Sequence, residues 1–277
     1  MKDFYLFRIL ILAAFWGALQ VDGHAQSEAP PAKIRVLCYN IHWCLGTDGK
    51  YDVKRIAELI KKEKPDLVAL QEIDIGVERS GRVHQAQLLS ELTGMEVRLG
   101  PTQAYQGGLF GNAVLSRFPI RDVEIHPLPY TEATESLVTY PRGCIIVTVE
   151  PSPNQSVRFI STHFQHNVAA DRVEQAKAIN LLTQNDKGIP TILAGDMNAT
   201  PDSEPITILL EQWKNATNEP AAPTVPVKAP TKRIDYIFYR PEKALKLGKT
   251  YVIPEVLASD HRPVFAEFEL TPVPKSH

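Results

Sequence analysis

The stretch Leu257-Ala258-Ser259-Asp260-His261-Arg262-Pro263 places a carboxylate beside an imidazole, in a loop between two strand-like runs. Residues 251–253 form the first run and residues 264–268 the second. An acid and a histidine presented together where a strand begins can hold a metal ion and move a proton at one reaction centre. On its own the pair indicates no more than a solvated turn, so its meaning depends on the rest of the chain.

Four other strand-like runs also end in polar side chains that a protein core does not need. They are Tyr39-Asn40-Ile41-His42, Ala69-Leu70-Gln71-Glu72, Ser161-Thr162-His163-Phe164 and Ala194-Gly195-Asp196-Met197-Asn198, with Arg233-Ile234-Asp235-Tyr236 on a strand predicted to neighbour the fifth. Each segment alone fits a turn or a solvent-exposed charge. Together they supply oxygen ligands, two imidazoles and further carboxylates, which is the inventory of a hydrolytic site.

Strand and helix patterns alternate along the chain. Strands are predicted at residues 34–41, 67–70, 95–99, 113–115, 123–125, 144–149, 157–162, 191–194, 234–239, 249–253 and 264–270. Helices are predicted at residues 52–64, 85–92, 169–182 and 205–213. Many strands with few helices indicate mixed sheets flanked by helices. The proline-rich stretch 218–231 interrupts this pattern without ending it, so we expect one domain.

The first 25 residues have the pattern of a signal peptide. Lys2 and Arg8 precede an apolar run at residues 9–21, and Gly23-His24-Ala25 is a small-x-small cleavage signal. A retained membrane anchor is the alternative, but about 13 apolar residues are short for a span that needs about 20. We therefore expect a signal peptide at 1–25, a leader at 26–32, one domain at 33–272 and a tail at 273–277. The mature protein is predicted to be periplasmic or secreted, without a stable membrane span.

Composition limits the partners and the covalent chemistry. Of 277 residues, 44% are hydrophobic and 22% charged, and the net charge of −2 gives no global attraction to nucleic acid. The three cysteines cannot all pair internally. Cys38 and Cys144 lie in apolar strand-like runs and are expected to be buried thiols, whereas Cys44 lies just past a strand end. We expect a monomer.

The polar segments together resemble the endonuclease/exonuclease/phosphatase family, which includes deoxyribonuclease I, apurinic endonucleases, inositol-polyphosphate phosphatases and neutral sphingomyelinases. The resemblance covers residues 33–270. It rests on YNIH (39–42), LQE ending in Glu72, STH (161–163), GDMN (195–198), RIDYIF (233–238) and SDHRP (259–263), in the family's order. Arg79-Ser80-Gly81 and residues 111–119 are similar to its bacterial metal-dependent hydrolase branch. Where that branch has Thr followed by an aromatic residue before RIDYIF, this chain has Thr224-Val225-Pro226.

This resemblance implies an α/β (α+β) four-layer sandwich, with two mixed β-sheets packed face to face, helices on the outer faces and the site at one end of the sheets. By matching motif, Asn40 and Glu72 are metal ligands, and Asp260 joins them or binds through water. Oxygen ligands without a thiolate suit Mg²⁺, or Mn²⁺ in its place. Asp196 would activate the attacking water with help from Asn198. His163 would donate to a non-bridging phosphoryl oxygen.

Several roles remain open on the sequence. His261, oriented by Asp235, is either the general base or the cation that stabilises the phosphoryl oxygens while Asp196 is the base, and we favour the second. Arg79 and Arg117 are candidate substrate contacts, although a scaffold role suits Arg117 better. Tyr236 has no assigned role. His84, His126 and His166 have no motif support and are expected on the surface.

The implied reaction is metal-assisted attack of water on a phosphoester. A nuclease should carry a track of basic and aromatic side chains, but the basic residues here are spread along the chain. A lipid headgroup, a small phosphoester and a nucleic acid all remain possible substrates. A family member without activity that serves as a binding module is the alternative from another class. It is disfavoured because every motif residue is present.

Overall fold

The computed structural model describes residues 32–186, 188–217 and 222–271. The strands there are β1 Ala32–Asn40, β2 Leu67–Ile75, β3 Glu96–Tyr105, β4 Gly108–Ser116, β5 Ile120–Leu128, β6 Arg142–Ser152, β7 Gln155–His163, β8 Thr191–Asp196, β9 Lys214–Asn215, β10 Asp235–Arg240, β11 Leu245–Val252 and β12 Val264–Leu270. The helices are α1 Val53–Glu63, α2 Gln85–Thr93, α3 Ala169–Leu182 and α4 Glu204–Leu210. The predicted signal peptide, the leader up to residue 31 and the predicted tail lie outside the described residues.

The strands form two mixed six-stranded sheets. Their orders are β11-β12-β1-β2-β4-β3 and β5-β6-β7-β8-β10-β9. In each sheet one central pair is parallel, β1 with β2 and β7 with β8, and the other neighbours are antiparallel. Strands such as β2 and β8 are buried on both faces, as their continuous apolar runs predict.

Three apolar cores separate four layers. The central core joins the facing sides of the two sheets and includes Val36, Ala69, Val147, Phe159 and Ile237. A second core packs α1 and α2 against the outer face of the first sheet, and a third packs α3 and α4 against the outer face of the second. The predicted four-layer sandwich is therefore confirmed.

Helix ends follow local chemistry. The Asp52 side chain accepts a hydrogen bond from the Arg55 backbone N–H at 3.1 Å and caps the start of α1. The helix predicted at 205–213 ends at Leu210, because Trp213 leaves the helix to pack in the third core and donates from Nε1 to Asn180 Oδ1 at 2.9 Å. No helix among the described residues is long and apolar enough to cross a membrane.

Strand direction brings the polar segments to one end of the sandwich. β1 and β2 are parallel, as are β7 and β8, so each pair finishes at one edge of its sheet. β12 and β10 run antiparallel to β1 and β8 and therefore begin at those edges, with Cys38 opposite Val264 and Asp196 opposite Asp235. Face-to-face packing then places the two edges together.

Candidate active site

Asn40 links the two sheets at the centre of this end. Its side-chain Nδ2 donates to Glu72 Oε1 at 3.0 Å, within the first sheet, and to Asp196 Oδ2 at 3.1 Å, across to the second. Its Oδ1 accepts the His42 backbone N–H at 3.0 Å. Asn40 is 1% exposed, so this bridge holds two carboxylates in fixed positions at the mouth of the central core.

Asp196 is the carboxylate most changed by its surroundings. It ends β8 and is 1% exposed. Burial raises its pKa, repulsion from Asp235 raises it further, and attraction to His261 only partly offsets this, giving a pKa of about 7. Its Oδ1 accepts the Asn198 backbone N–H at 2.8 Å. A carboxylate that exchanges its proton near neutral pH has the property expected of a general base.

His261 is held by Asp235. Its Nδ1 lies 3.0 Å from Asp235 Oδ2 and 3.1 Å from Oδ1, and its Nε2 faces Asp196 Oδ2 at 3.8 Å. Burial alone lowers the pKa of His261, but attraction to Asp235 and Asp196 outweighs it and raises the pKa to about 10. The ring is therefore a cation at neutral pH, with its Nε2–H directed to the side of Asp196.

His163 is the electrostatic opposite of His261. It ends β7, and its Nε2 lies 3.0 Å from Asn198 Nδ2 and 3.4 Å from Asp196 Oδ2. Burial lowers the pKa of His163 well below its ordinary value, and the positive charges of Arg142 and His261 lower it further. His163 is therefore neutral at pH 7 and acts through hydrogen bonding rather than charge.

Glu72 and Asn198 are among the residues at this end that have left-handed backbones. Glu72 has φ of 60° at an irregularity where the β2–β4 register shifts, and Asn198 has φ of 47° just past β8. Non-glycine residues adopt this region rarely, and such residues concentrate at functional sites. Here the conformation turns each side chain from its strand toward the shared end of the two sheets.

The carboxylates fit a hard divalent cation. The half-buried Glu72 accepts from Asn40, and no cationic side chain of the described residues lies within ion-pair distance of it. Asp260 is held near Asn40, because the Oγ of its neighbour Ser259 donates to the Asn40 carbonyl oxygen at 2.7 Å. The Asp260 side chain is 53% exposed. Oxygen ligands of this kind suit Mg²⁺ or Mn²⁺. The Asn40 amide nitrogen faces the two carboxylates. Asn40 would bind the metal ion through Oδ1, which accepts the His42 backbone N–H in this structure.

A second group of ligand atoms lies beside these residues. One atom each from Asp196, Asp235 and His261 lie within 4.8 Å of one another and could hold a divalent ion. However, Asp235 holds His261 Nδ1, and with Asp196 it raises the pKa of the ring to about 10, so Nε2 keeps its proton at neutral pH and is not free to bind a metal. This group is therefore better suited to proton chemistry than to ligation of a metal.

A cleft of about 310 Å³ opens beside these residues and is lined by Glu72, His163, Asp196, Asn198 and His261. One wall is aromatic. The Arg79 guanidinium lies over the rings of Trp43, Tyr105 and Phe110, at 3.7, 4.7 and 5.1 Å from their centroids. Two 2.9 Å hydrogen bonds to the buried Asp74 neutralise its charge. Arg79 thus lies in the cleft as part of a flat wall.

Arg117 lies elsewhere, and we correct its assignment as a substrate contact. It follows β4, its Nε donates to the Pro65 carbonyl oxygen at 3.0 Å, and its backbone N–H donates to Asp66. Because Pro65 precedes β2 and Glu72 lies near the end of that strand, the two residues are at opposite ends of the sheet. Arg117 is a scaffold residue.

The remaining histidines and the buried groups fall into simple roles. His84 accepts the Gln87 N–H and caps α2, and His126 lies beside Glu124 on the edge strand β5. His166 is exposed but also lines the cleft. The Tyr236 hydroxyl donates to backbone oxygens within the third core. All three cysteines are buried thiols.

The sequence reasoning missed part of the cleft. The aromatic residues Trp43, Tyr105, Phe110 and Tyr140 carried no motif, and neither did Arg142 at the first position of β6. For Arg142 the sequence did contain one indication of an unusual position. In Tyr140-Pro141-Arg142-Gly143-Cys144 a charged residue stands directly before a run of apolar residues that reads as a buried strand.

Residues 37–261 match the model of the Endonuclease/Exonuclease/phosphatase family. This match covers most of the chain and includes every side chain of the network around Asp196. The chain belongs to this family. Members of the family act on phosphoester bonds as nucleases or phosphatases. The side chains at this site are therefore interpreted as those of a phosphoester hydrolase.

Similar proteins span the same domain. The chain is 25% identical over 249 residues to the uncharacterized protein YbhP of Escherichia coli K12, covering 85% of this chain and 96% of that protein. A family structure from Beutenbergia cavernae is 26% identical with a TM-score of 0.73, covering 88% of this chain and 73% of that one. The mannosyl-6-phosphatase Bt3783 of Bacteroides thetaiotaomicron, at 20% identity, TM-score 0.68 and coverage of 85% and 99%, shares the fold.

Proposed function

We propose that the protein is an exported, Mg²⁺-dependent phosphoester hydrolase in which Asp196 activates the attacking water. The observation that carries this proposal is that the buried Asp196 carboxylate lies beside the cationic His261. The pKa of Asp196, about 7, suits a general base. A general base and a positive donor on one cleft are the two groups that attack on phosphorus requires. A family member at 20% identity is a mannosyl-6-phosphatase, but that similarity concerns the fold and leaves the substrate open.

Asn40, Glu72 and Asp260 would hold the metal ion. Glu72 supports this assignment because it is half-buried and has no cationic partner among the described residues. Bound there, Mg²⁺ or Mn²⁺ would neutralise a phosphoryl oxygen and orient the phosphate.

The charges of the two partners favour Asp196 as the base. A general base must be unprotonated, and His261 holds its proton up to a pKa of about 10, whereas Asp196 releases its proton near 7. Asp196 therefore takes the proton of the water, and His261 donates from Nε2 to the phosphoryl oxygens. Asp235 fixes the ring and its tautomer through Nδ1.

Asn198 and His163 complete the donor set. The Asn198 backbone N–H orients Asp196, and its side chain lies against His163 Nε2. The Asn198 Nδ2 donates to His163 Nε2 in this structure, so donation from neutral His163 to a non-bridging oxygen would require Asn198 to turn away and Nε2 to carry the ring proton. His163 and Asp196 are already positioned at the ends of β7 and β8.

The test is hydrolysis of chromogenic phosphoesters, p-nitrophenyl phosphate and bis-p-nitrophenyl phosphate, with Mg²⁺, with Mn²⁺ and in excess chelator. We expect turnover only with metal. Asp196→Asn should lower kcat by about 10²-fold or more, the usual contribution of a general base. Asp122→Asn on the exposed edge strand β5 is the matched control and should retain activity. Full activity in chelator, or in Asp196→Asn, would refute the proposal.

A further inference from the structure

Arg142 is a buried cation with almost no partners. It begins β6 and is 6% exposed. Within the described part of the chain its Nε has no hydrogen-bond partner, and its Nη2 makes one long contact, 3.5 Å to His166 Nδ1. No carboxylate of the described residues lies within ion-pair distance of it. Burial lowers the pKa of this guanidinium more than attraction to Glu72 and Asp196 raises it, and an arginine nevertheless stays charged.

Three other arginines with little exposed side chain, Arg79, Arg158 and Arg240, are neutralised by carboxylates. Asp74 holds Arg79 with two hydrogen bonds, and Asp186 forms ion pairs with both Arg158 and Arg240. Burying a charge without a partner costs free energy, so protein interiors pair their charges. Among the described residues Arg142 has no carboxylate partner, and it lines a cleft where an anionic ligand would supply one.

The position of Arg142 supports an anionic ligand as its missing partner. It lines the cleft together with His163 and Asp196, beside a stacked pair formed by Tyr140 and His166, whose ring centroids are 5.7 Å apart. A guanidinium presents a planar fork of N–H donors that matches phosphate oxygens. The unused donors are therefore those expected for contact with the phosphoryl group.

We propose that Arg142 binds the phosphoryl group of the substrate and makes the site prefer a terminal phosphate, that is, a phosphomonoester over a phosphodiester. This inference rests on the proposed hydrolase function. It assigns a substrate contact to a residue outside every motif of the sequence, and it selects one of the substrate classes that the site chemistry leaves open.

The preference follows from oxygen atoms and charge. A phosphomonoester carries three non-bridging oxygens and a charge of about −2 at pH 7, because its second pKa is about 6. A diester carries two such oxygens and a single negative charge. The cleft already offers a charged donor from His261 and carboxylates suited to a metal. A phosphomonoester has a third non-bridging oxygen and a second negative charge for the guanidinium N–H donors of Arg142, whereas a diester has neither.

Binding of inorganic phosphate tests the contact without turnover. Isothermal titration at pH 8, with and without Mg²⁺, should show wild-type binding that weakens by about 10- to 100-fold in Arg142→Met, as for lost hydrogen bonds to a charged group. Arg142→Lys should recover part of the affinity. Arg121→Met, an exposed arginine on β5, is the control and should bind as wild type. Unchanged affinity in Arg142→Met would overturn the contact.

Thermal unfolding separates this role from a structural one. Removing an unpaired buried charge should leave the unfolding temperature of Arg142→Met unchanged or raise it. A lower unfolding temperature with unaltered phosphate binding would mean that Arg142 supports the fold and would refute the inference.

Kinetics test the substrate class. Wild type should show a higher kcat/KM for p-nitrophenyl phosphate than for the bis-p-nitrophenyl diester, and Arg142→Met should lower that ratio at least tenfold. Equal losses on both substrates, or a wild-type preference for the diester, would overturn the monoester assignment. If neither ester is hydrolysed with metal, the proposed function fails, while phosphate binding still decides whether Arg142 contacts a phosphoryl group.

Discussion

At the scale of single residues, the two imidazoles of the site differ because of their neighbours. His261 touches Asp235 and faces Asp196, so two negative charges favour its protonated form. His163 is buried beside the cationic Arg142 and His261, so its protonated form is disfavoured. The same side chain is therefore a cation in one position and a neutral ring in the other.

The pH dependence of kcat should report this difference. The activity of wild type should fall at low pH as Asp196 gains its proton and at high pH as His261 loses its proton, and the Mg²⁺ charge should place both limbs at or below the metal-free pKa values of about 7 and about 10. Asp235→Asn removes the attraction that raises the pKa of His261, so the alkaline limb should move to lower pH. The measurement is kcat against pH on a chromogenic phosphoester.

Substitution of the ring itself should cost more than loss of its partner. His261→Ala should lower kcat by about 10²–10³-fold, and Asp235→Asn by less, because a correctly placed ring remains. His126→Ala, which removes an imidazole outside the cleft, is the control. Near wild-type turnover in His261→Ala with metal present would contradict the assignment of the site.

Glu72 tests the metal assignment. Glu72→Gln keeps the shape of the side chain and its contact with Asn40 but removes the charge that attracts a cation. The Mg²⁺ concentration for half-maximal activity should rise at least about tenfold, and Mg²⁺ should raise the unfolding temperature of the variant less than that of wild type. An unchanged metal requirement in both measurements would place the ion elsewhere.

At the scale of elements, the position of Asp196 depends on how closely β8 lies against β7. Gly195 directly precedes Asp196, and a Cβ at that position would lie 2.2 Å from the Thr162 carbonyl oxygen. The absence of a side chain lets the ends of the two parallel strands approach. His163 and Asp196 then stand opposite each other in register.

Gly195→Ala should therefore disturb both stability and catalysis. Overpacking of this kind typically costs about 1–3 kcal/mol of unfolding free energy, and kcat should fall because Asp196 moves relative to His163. Gly248→Ala, on the edge strand β11 with 3.2 Å to its nearest neighbour, should change either quantity little. Urea unfolding and kcat of the two variants check this, and equal effects in both would contradict the role of close strand approach.

At the scale of the whole molecule, export stays a prediction, because the predicted signal peptide lies outside the residues that the structure describes. The charged start, the apolar run and Gly23-His24-Ala25 predict cleavage after Ala25. When the full chain is expressed in a bacterial host, mass spectrometry of the periplasmic or secreted fraction should find Gln26 as the first residue. An intact Met1 in that fraction would contradict the signal peptide.

The residue pattern predicted mixed sheets flanked by helices, and the family resemblance implied the four-layer sandwich and most of the side chains that the structure brings together at the candidate site. Asn40, Glu72, His163, Asp196 and His261 stand at the ends of apolar runs, and strand direction alone carries such ends to a common edge. Short elements were harder. The two-residue strand β9 and the early end of α4 depend on packing around Trp213 rather than on local pattern.

Only the tertiary structure decided what these groups can do. Protonation of His163 and His261 depends on charges brought from other strands, and the sequence does not show which charges become neighbours. Arg117 and Arg142 look alike in the sequence. However, Arg117 lies at the far end of β2, whereas Arg142 is buried in the cleft and no described carboxylate pairs with it. Electrostatic interactions act over distance in space, which is set by sheet register and by the packing of the two sheets.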